Sequence, residues 1–254
     1  MSLEGLAVIV TRPQDSAAAT VTALNAAGAA AVALPLLEIS AIEAAKLSLT
    51  SPPDAIIFVS SHAAQFGVPE LSRHRLIANA AASQEIYAVG RATANRLAAL
   101  GLSRVKTPAG GEDSEALLAE PRFESPAGCT ILIVKGASEG GGRQLLEDTL
   151  RQRGAIVYNL ICYRRELTTL TLAGRQQLAA GVRKGAAVLI GSVETLESLG
   201  NNLALEELSL ADVAHLLVPH QRVASVATSA GVRRISVVSL EDNKLVETLS
   251  NRQA

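Results

Sequence analysis

Short apolar runs alternate with segments of helical composition along most of the chain, and this alternation limits the open folds more than any other feature. Leu6 to Val10, Ala31 to Leu34, Ile56 to Val59, Ile86 to Val89, Ile131 to Val134 and Ile156 to Ile161 have the length and apolar content of buried strands. Between them lie the helical stretches Ser16 to Ala27, Ala92 to Leu100 and Arg143 to Arg153, with Gly28, Gly101 and Gly154 as stops. Val105 begins a further short strand, Asp113-Ser114-Glu115 starts the helix of Ala116 to Leu118, and Pro121 to Gly128 reads as a turn-rich connection. Pro35 breaks the second strand, and Ser51-Pro52-Pro53 is a linker candidate. Strands separated by helices predict an α/β fold with parallel sheets flanked by helices on both faces.

The last third of the chain repeats the middle. IIFVSS, YAVGRATANRLAALG and SEALLAE are followed in the same order by VLIGSV, LLVPHQRVASVATSAG and NKLVETL. Ser192 lies 132 residues after Ser60, and Gly231 lies 130 after Gly101. A near-constant offset predicts two lobes of similar topology. The 254 residues suffice for two cores, and with aromatics at only 2% those cores must be aliphatic.

Composition excludes several function classes. Lys plus Arg is 23 and Asp plus Glu 24, a formal charge of −1, so no broad field attracts nucleic acid, although a cleft can still focus charge on a small anion. Cys129 and Cys162 form neither a disulfide framework nor a metal motif and read as small buried hydrophobes. No apolar run reaches bilayer-spanning length, and MSLEGLAVIVTRP lacks the basic region of a signal peptide, so a cytoplasmic protein with no membrane partner is expected.

Ligands of a parallel sheet approach the carboxyl ends of its strands, where helix-starting N–H groups open outward. Five turns fit: Thr11-Arg12-Pro13, Ser60-Ser61-His62, Gly90-Arg91-Ala92-Thr93, Lys135 to Arg143, and Ser192-Val193. Arg12, Arg91, Lys135 and Arg143 add cationic donors suited to carboxylates. Ser60 and Ser192 fit a helix N-cap as well as a ligand contact. Thr93 fits the first turn of its helix, and His62 a solvated turn. Tyr163, followed by Arg164-Arg165, stands where the chain passes between lobes, either as a proton or hydrogen-bond donor or as an anchor. Tyr87 and Tyr158 lie inside strands and read as packing residues. GASEGGGR lacks the closing Gly-Lys-Ser/Thr of a phosphate loop, Gly90 stands alone, and the four histidines fall in unrelated elements. No spacing matches a metal site, and no cofactor motif is present.

Taken in order, VTRP at Val10 to Pro13, PLLEI at Pro35 to Ile39, IIFVSSHAAQF at Ile56 to Phe66, YAVGRATANRLAALG at Tyr87 to Gly101, Lys135-Gly136 with Gly142-Arg143, and RGAIVYNLICYRR ending at Arg165 resemble the uroporphyrinogen-III synthase family. The resemblance implies two similar α/β lobes joined by two crossover strands, with a site in the cleft between them. Residues 1–37 and 168–254 would form one discontinuous lobe and 52–160 the inserted lobe, with 38–51 and 161–167 as connections. It implies a monomeric, cofactor-independent lyase acting on hydroxymethylbilane, a linear tetrapyrrole polycarboxylate. Loss of the terminal hydroxyl, attack at the substituted carbon of ring D, and rearrangement through a spiro intermediate would close the ring with inversion.

Under the same resemblance Tyr163 assists departure of the hydroxyl. Arg12, Ser60, Ser61, Gly90, Arg91, Thr93, Lys135, Gly136 and Arg143 match or adjoin turns that line the family's site and bind acetate and propionate groups, mainly through backbone N–H donors. Ser192, His220 and Arg222 are candidate contacts from the carboxy-terminal repeat, where an exposed loop role fits His220 and Arg222 equally. The carboxy-terminal series departs from the family pattern: His220 stands at the position of Gly90 and Val223 at that of Thr93. That departure motivates an alternative expectation, a non-catalytic tetrapyrrole or small-polyanion binding protein on the same scaffold.

Overall fold

The computed structural model describes residues 2–43, 49, 51–77, 84–137 and 142–253, excepting the side chains of residues 142, 143, 252 and 253. In chain order the described elements begin with β1 (Ala7–Val10), α1 (Gln14–Ala26), β2 (Ala30–Ala33), β3 (Leu37–Ala41), β4 (Ala55–Phe58) and α2 (Ser61–Arg73). Next come β5 (Glu85–Ala88), α3 (Arg91–Ala99), β6 (Val105–Lys106), α4 (Ser114–Leu118), α5 (Pro121–Glu124), β7 (Thr130–Ala137), α6 (Gly142–Gln152) and β8 (Ile156–Leu167). The remainder is α7 (Leu172–Arg183), β9 (Ala187–Leu189), α8 (Val193–Ala204), β10 (His215–Val218), α9 (Gln221–Ser229), β11 (Ile235–Val237) and α10 (Asp242–Gln253).

The chain divides into two compact units, one of residues 1–38 with 166–254 and the other of residues 39–165. The first holds a sheet of order β11-β10-β9-β1-β2, and the second a sheet of order β3-β8-β7-β4-β5-β6. β1 pairs in parallel with β2 and β9, and β10 with β9 and β11. In the second unit β4 pairs in parallel with β5 and β7, as do β5 with β6 and β7 with β8. Both passages of the chain from one unit to the other occur within strands, β3 and β8.

Each sheet is apolar on both faces because helices cover both. In the first unit Ile9, Val188, Leu216 and Val218 enter one core cluster, while Val8, Val10, Leu189 and Leu217 enter the other. In the second, Ile56, Phe58, Leu132 and Val134 face one cluster, and Ile57, Ile131 and Ile133 face the opposite one. Period-two alternation between two buried faces explains why these strands read as unbroken aliphatic runs. Gly101 and Gly231, the residues that set the internal repeat, take φ of +88° and +92° at the ends of α3 and α9, a backbone that side chains resist.

Three local expectations are corrected. The connection expected over Pro121 to Gly128 contains a one-turn helix with Pro121 in its first turn, where the missing N–H costs nothing. β7 continues past Val134 to Ala137 and β8 past Ile161 to Leu167, because a bulge between Lys135 and Gly136 lets the ladder resume as Gly136 opposite Tyr163 and Ala137 opposite Arg164. Cys162 is buried as expected, whereas Cys129 is half-buried.

Candidate functional site at the carboxyl edges of the sheets

In the second unit β4 and β5 end level, since Phe58 pairs with Ala88 on one side, and β4 ends opposite Val134 of β7 on the other. The next residues outward are Ser60, Gly90 and the pair Lys135-Gly136, so three of the predicted turns reach a single sheet edge. In the first unit Leu189 pairs with both Val10 and Leu217. Arg12, Ser192 and the His220 to Arg222 segment follow those strands and share the corresponding edge. Parallel register is thus what gathers residues far apart in sequence.

Tyr163 lies within β8, not just beyond a strand ending at Ile161, and it is 1% exposed. Its ring stacks near Phe66 at 5.9 Å between centroids and meets the His62 ring at 5.8 Å. A Cβ on Gly136 would stand 2.5 Å from Tyr163 Cζ, so the ring occupies space that only glycine leaves open. The phenolic oxygen lies 2.9 Å from Ser60 Oγ. Ser60 is the N-cap of α2, and its Oγ also accepts the Ala63 N–H at 3.1 Å. Ser61 follows, partly buried, in the first turn. Cys162, beside the tyrosine, has its thiol pushed up to about 12 by burial and is a neutral packing group, not a thiolate.

Lys135, Arg91 and Arg12 are already engaged within their own units. Lys135 Nζ donates to Glu147 Oε2 at 2.7 Å, while Asn159 Nδ2 donates to Oε1 at 2.7 Å and Arg151 pairs with the same carboxylate. Burial pushes the Glu147 carboxyl up, but these partners outweigh it and hold the group below its ordinary value. Arg91 Nε donates to Glu112 Oε1 at 2.8 Å, and its backbone N–H to Oε2 at 3.2 Å. Those hydrogen bonds lower the Glu112 pKa although the carboxyl is exposed. An internal carboxylate therefore sits on the turn expected to receive one from a ligand. Arg12 donates to Thr20 Oγ1 at 2.7 Å and the Leu240 carbonyl at 3.0 Å, and pairs with Asp242 at 3.4 Å. Burial lowers its pKa and Asp242 opposes the shift.

Gly90 and His220 are the N-caps of α3 and α9 with nearly the same backbone, φ −147° and −143°. This extended conformation suits any residue, and a Cβ on Gly90 would lie 2.8 Å from Glu112 Oε2, the end of an exposed side chain that can shift. Thr93 and Val223, equivalent in the repeat, are both buried. Ser192 caps α8, accepting the Thr195 N–H at 3.3 Å and meeting Thr195 Oγ1 at 3.0 Å. His220 and Arg222 are exposed. Gly142 and Arg143 open α6, but the Arg143 side chain and residues 138–141 of the expected glycine-rich turn lie outside the described residues.

Sequence reasoning left His62, Phe66, Glu112 and Glu147 out of the site. The spacing of His62 and Phe66, four residues apart on one helix face, is a usable signal that they act together. Tyr163 stands out by its place before Arg164-Arg165, but nothing local marks its contact with these two rings. Among the described residues no group of three or more His, Cys, Asp or Glu side chains gathers to hold a metal ion, and no helix is long and apolar enough to cross a membrane.

Against known proteins, the family model described as Uroporphyrinogen-III synthase HemD matches residues 18–243. The uroporphyrinogen-III synthase of Salmonella typhimurium is 30% identical over 247 residues, covering 94% of this chain and 97% of its own length. That of Escherichia coli K12 is 30% identical over 246 residues, with the same coverage of 94% and 97%. Among solved structures, uroporphyrinogen-III synthetase from Helicobacter pylori superposes with a TM-score of 0.62 at 15% identity, covering 98% of this chain and 100% of that one. A mutant uroporphyrinogen III synthase from Thermus thermophilus gives 0.57 at 16% identity, with 98% of each chain covered. At these identities the structural likeness speaks for the fold.

Proposed function

The chain belongs to the uroporphyrinogen-III synthase family, and from that premise we propose that it closes hydroxymethylbilane to uroporphyrinogen III, inverting ring D and eliminating water without a cofactor. The single observation that carries this is the match over almost the entire chain, including the segment that holds Tyr163. The protein works as a cytoplasmic monomer.

The chemistry asks for shape control more than for a strong nucleophile. Free hydroxymethylbilane closes spontaneously to the uninverted isomer, so the enzyme must favour attack at the crowded carbon of ring D through orientation and differential transition-state binding. Backbone N–H groups at the starts of α2, α3, α8 and α9 hold acetate and propionate groups. Arg12, Arg91, Lys135, Arg143, His220 and Arg222 supply charge, with Ser61, Thr93, Gly136 and Ser192 on the same turns. Arg91 changes partner from Glu112 to a substrate carboxylate at little cost, because the exchange is like for like. Tyr163 provides the hydroxyl that assists departure of the terminal OH. The spiro intermediate then rearranges and the ring closes.

The deciding experiment incubates the purified protein with freshly generated hydroxymethylbilane and separates the product isomers. Type III product above the spontaneous background is expected; type I alone, formed at the spontaneous rate, would overturn the proposal. A second reading, a binding protein on this scaffold, draws on His220 and Val223 in the turn equivalent to Gly90 and Thr93. Tight tetrapyrrole binding without turnover would select it.

A further inference from the structure

A buried phenol must give its O–H to an acceptor. Tyr163 is 1% exposed, and among the described residues its hydroxyl meets Ser60 Oγ at 2.9 Å. Either hydroxyl can donate in that pair, and with Tyr163 as donor the buried O–H is satisfied. Ser60 Oγ also accepts the Ala63 N–H at 3.1 Å. A serine hydroxyl has two lone pairs and one hydrogen. With both lone pairs occupied, the Ser60 hydrogen is directed to the remaining tetrahedral position, toward a third partner. Ser60 is itself only partly buried and follows the carboxyl end of β4, whereas the phenol stands behind it in the core cluster.

We infer that Ser60 is the group that touches the departing hydroxyl of the substrate, and that Tyr163 acts through it in a two-proton relay. The inference rests on reading Tyr163 as the source of the proton. In the step, the Ser60 O–H gives its proton to the leaving oxygen, and the carbon–oxygen bond breaks with its electron pair departing in water. In the same motion Ser60 Oγ takes the phenolic proton of Tyr163. Ser60 ends neutral, Tyr163 ends as phenolate, and the substrate carries the matching positive charge. The proton released when the closed ring regains aromaticity returns along the same path, so the balance over a turnover is loss of one water. Ser60 caps the 13-residue helix α2, whose N-terminal dipole stabilises negative charge on the relay. Gly136 has a defined part: it leaves the space in which the ring keeps its hydroxyl on Ser60.

The test compares Ser60→Asn, Ser60→Thr and Tyr163→Phe in single turnovers, following type III product in mixtures of light and heavy water. Asparagine still caps the helix but carries no hydroxyl, so helix loss does not confound the result. Ser60→Asn and Tyr163→Phe are each expected to slow turnover about a hundredfold or more, with substrate affinity little changed, and Ser60→Thr to restore most of the rate. The parent rate should fall along a bowed line with deuterium content, two protons moving together, and a merely structural serine would not produce that curvature. A slow Tyr163→Phe beside a Ser60→Asn of parental rate would overturn the relay and leave Tyr163 as direct donor. A Tyr163→Phe of parental rate would instead remove the tyrosine reading, and the relay with it.

Discussion

The two units share a backbone plan but differ at their carboxyl edges. In the second unit the capping serine of α2 meets a tyrosine from β8, and a glycine opposite makes room for that ring. In the first unit the capping serine of α8 turns its hydroxyl to Thr195, three residues along in the sequence and on the same helix. The helices α3 and α9 begin alike, yet one starts at a glycine beside a carboxylate and the other at an exposed histidine. The comparison teaches that parallel topology fixes where functional turns stand, while long-range side-chain packing decides which turn can do more than bind.

The sharpest way to break this contrast is at two glycines. In Gly136→Ala the new Cβ would meet the Tyr163 ring at 2.5 Å, while nothing lies within 4 Å of one added at Gly191. Gly136→Ala should cost about 1–3 kcal/mol in urea unfolding and remove most type III formation. Gly191→Ala should change stability by less than about 0.5 kcal/mol. Equal effects at the two positions would erase the distinction between the edges.

Glu147 offers the next test, because the second unit holds this partly buried carboxylate with three partners. Its folded pKa lies below the ordinary value of 4.5, so its stabilisation is complete above that value and is lost as pH falls through the folded one. Glu147→Gln should cost about 1–2 kcal/mol near neutral pH, with the gap from the parent closing in acid. A gap independent of pH in urea titrations would show that the carboxylate charge is not what matters.

Ser192→Ala should lower stability by about 1 kcal/mol through loss of a helix cap while leaving the rate constant of a single turnover unchanged. A large loss of rate would place chemistry in the first unit as well. The smallest effect is expected at His220→Gly, which restores the residue type found at Gly90. If closer backbone approach aids carboxylate binding, KM should fall a few-fold with kcat unaltered. A raised KM would show that His220 contributes a contact of its own.

Alternation alone made the parallel α/β plan legible, and the offsets of Ser192 from Ser60 and Gly231 from Gly101 made its duplication legible. The helix caps Ser60 and Ser192 were readable because capping depends on neighbours three residues away. The extension of β8 through Tyr163 was not, since it depends on a bulge in another strand at Lys135 and Gly136. Gly136 read as an anion-binding glycine, and the room its missing side chain leaves for the Tyr163 ring is a demand from another strand that no local pattern carries. Arg12 read as a ligand for substrate, yet its guanidinium meets Leu240 and Asp242, more than two hundred residues away in sequence, a partnership no local pattern announces.

The first unit is assembled from both ends of the chain, with β1 inside its sheet and Ile9 paired to Val188. During synthesis at roughly 5–20 residues per second, that edge of β1 waits about ten to forty seconds for its neighbour to be made. The second unit, being continuous, emerges whole in the interval. Vectorial folding should therefore finish the tyrosine-bearing half first and leave the opening strand as the segment most in need of chaperone cover.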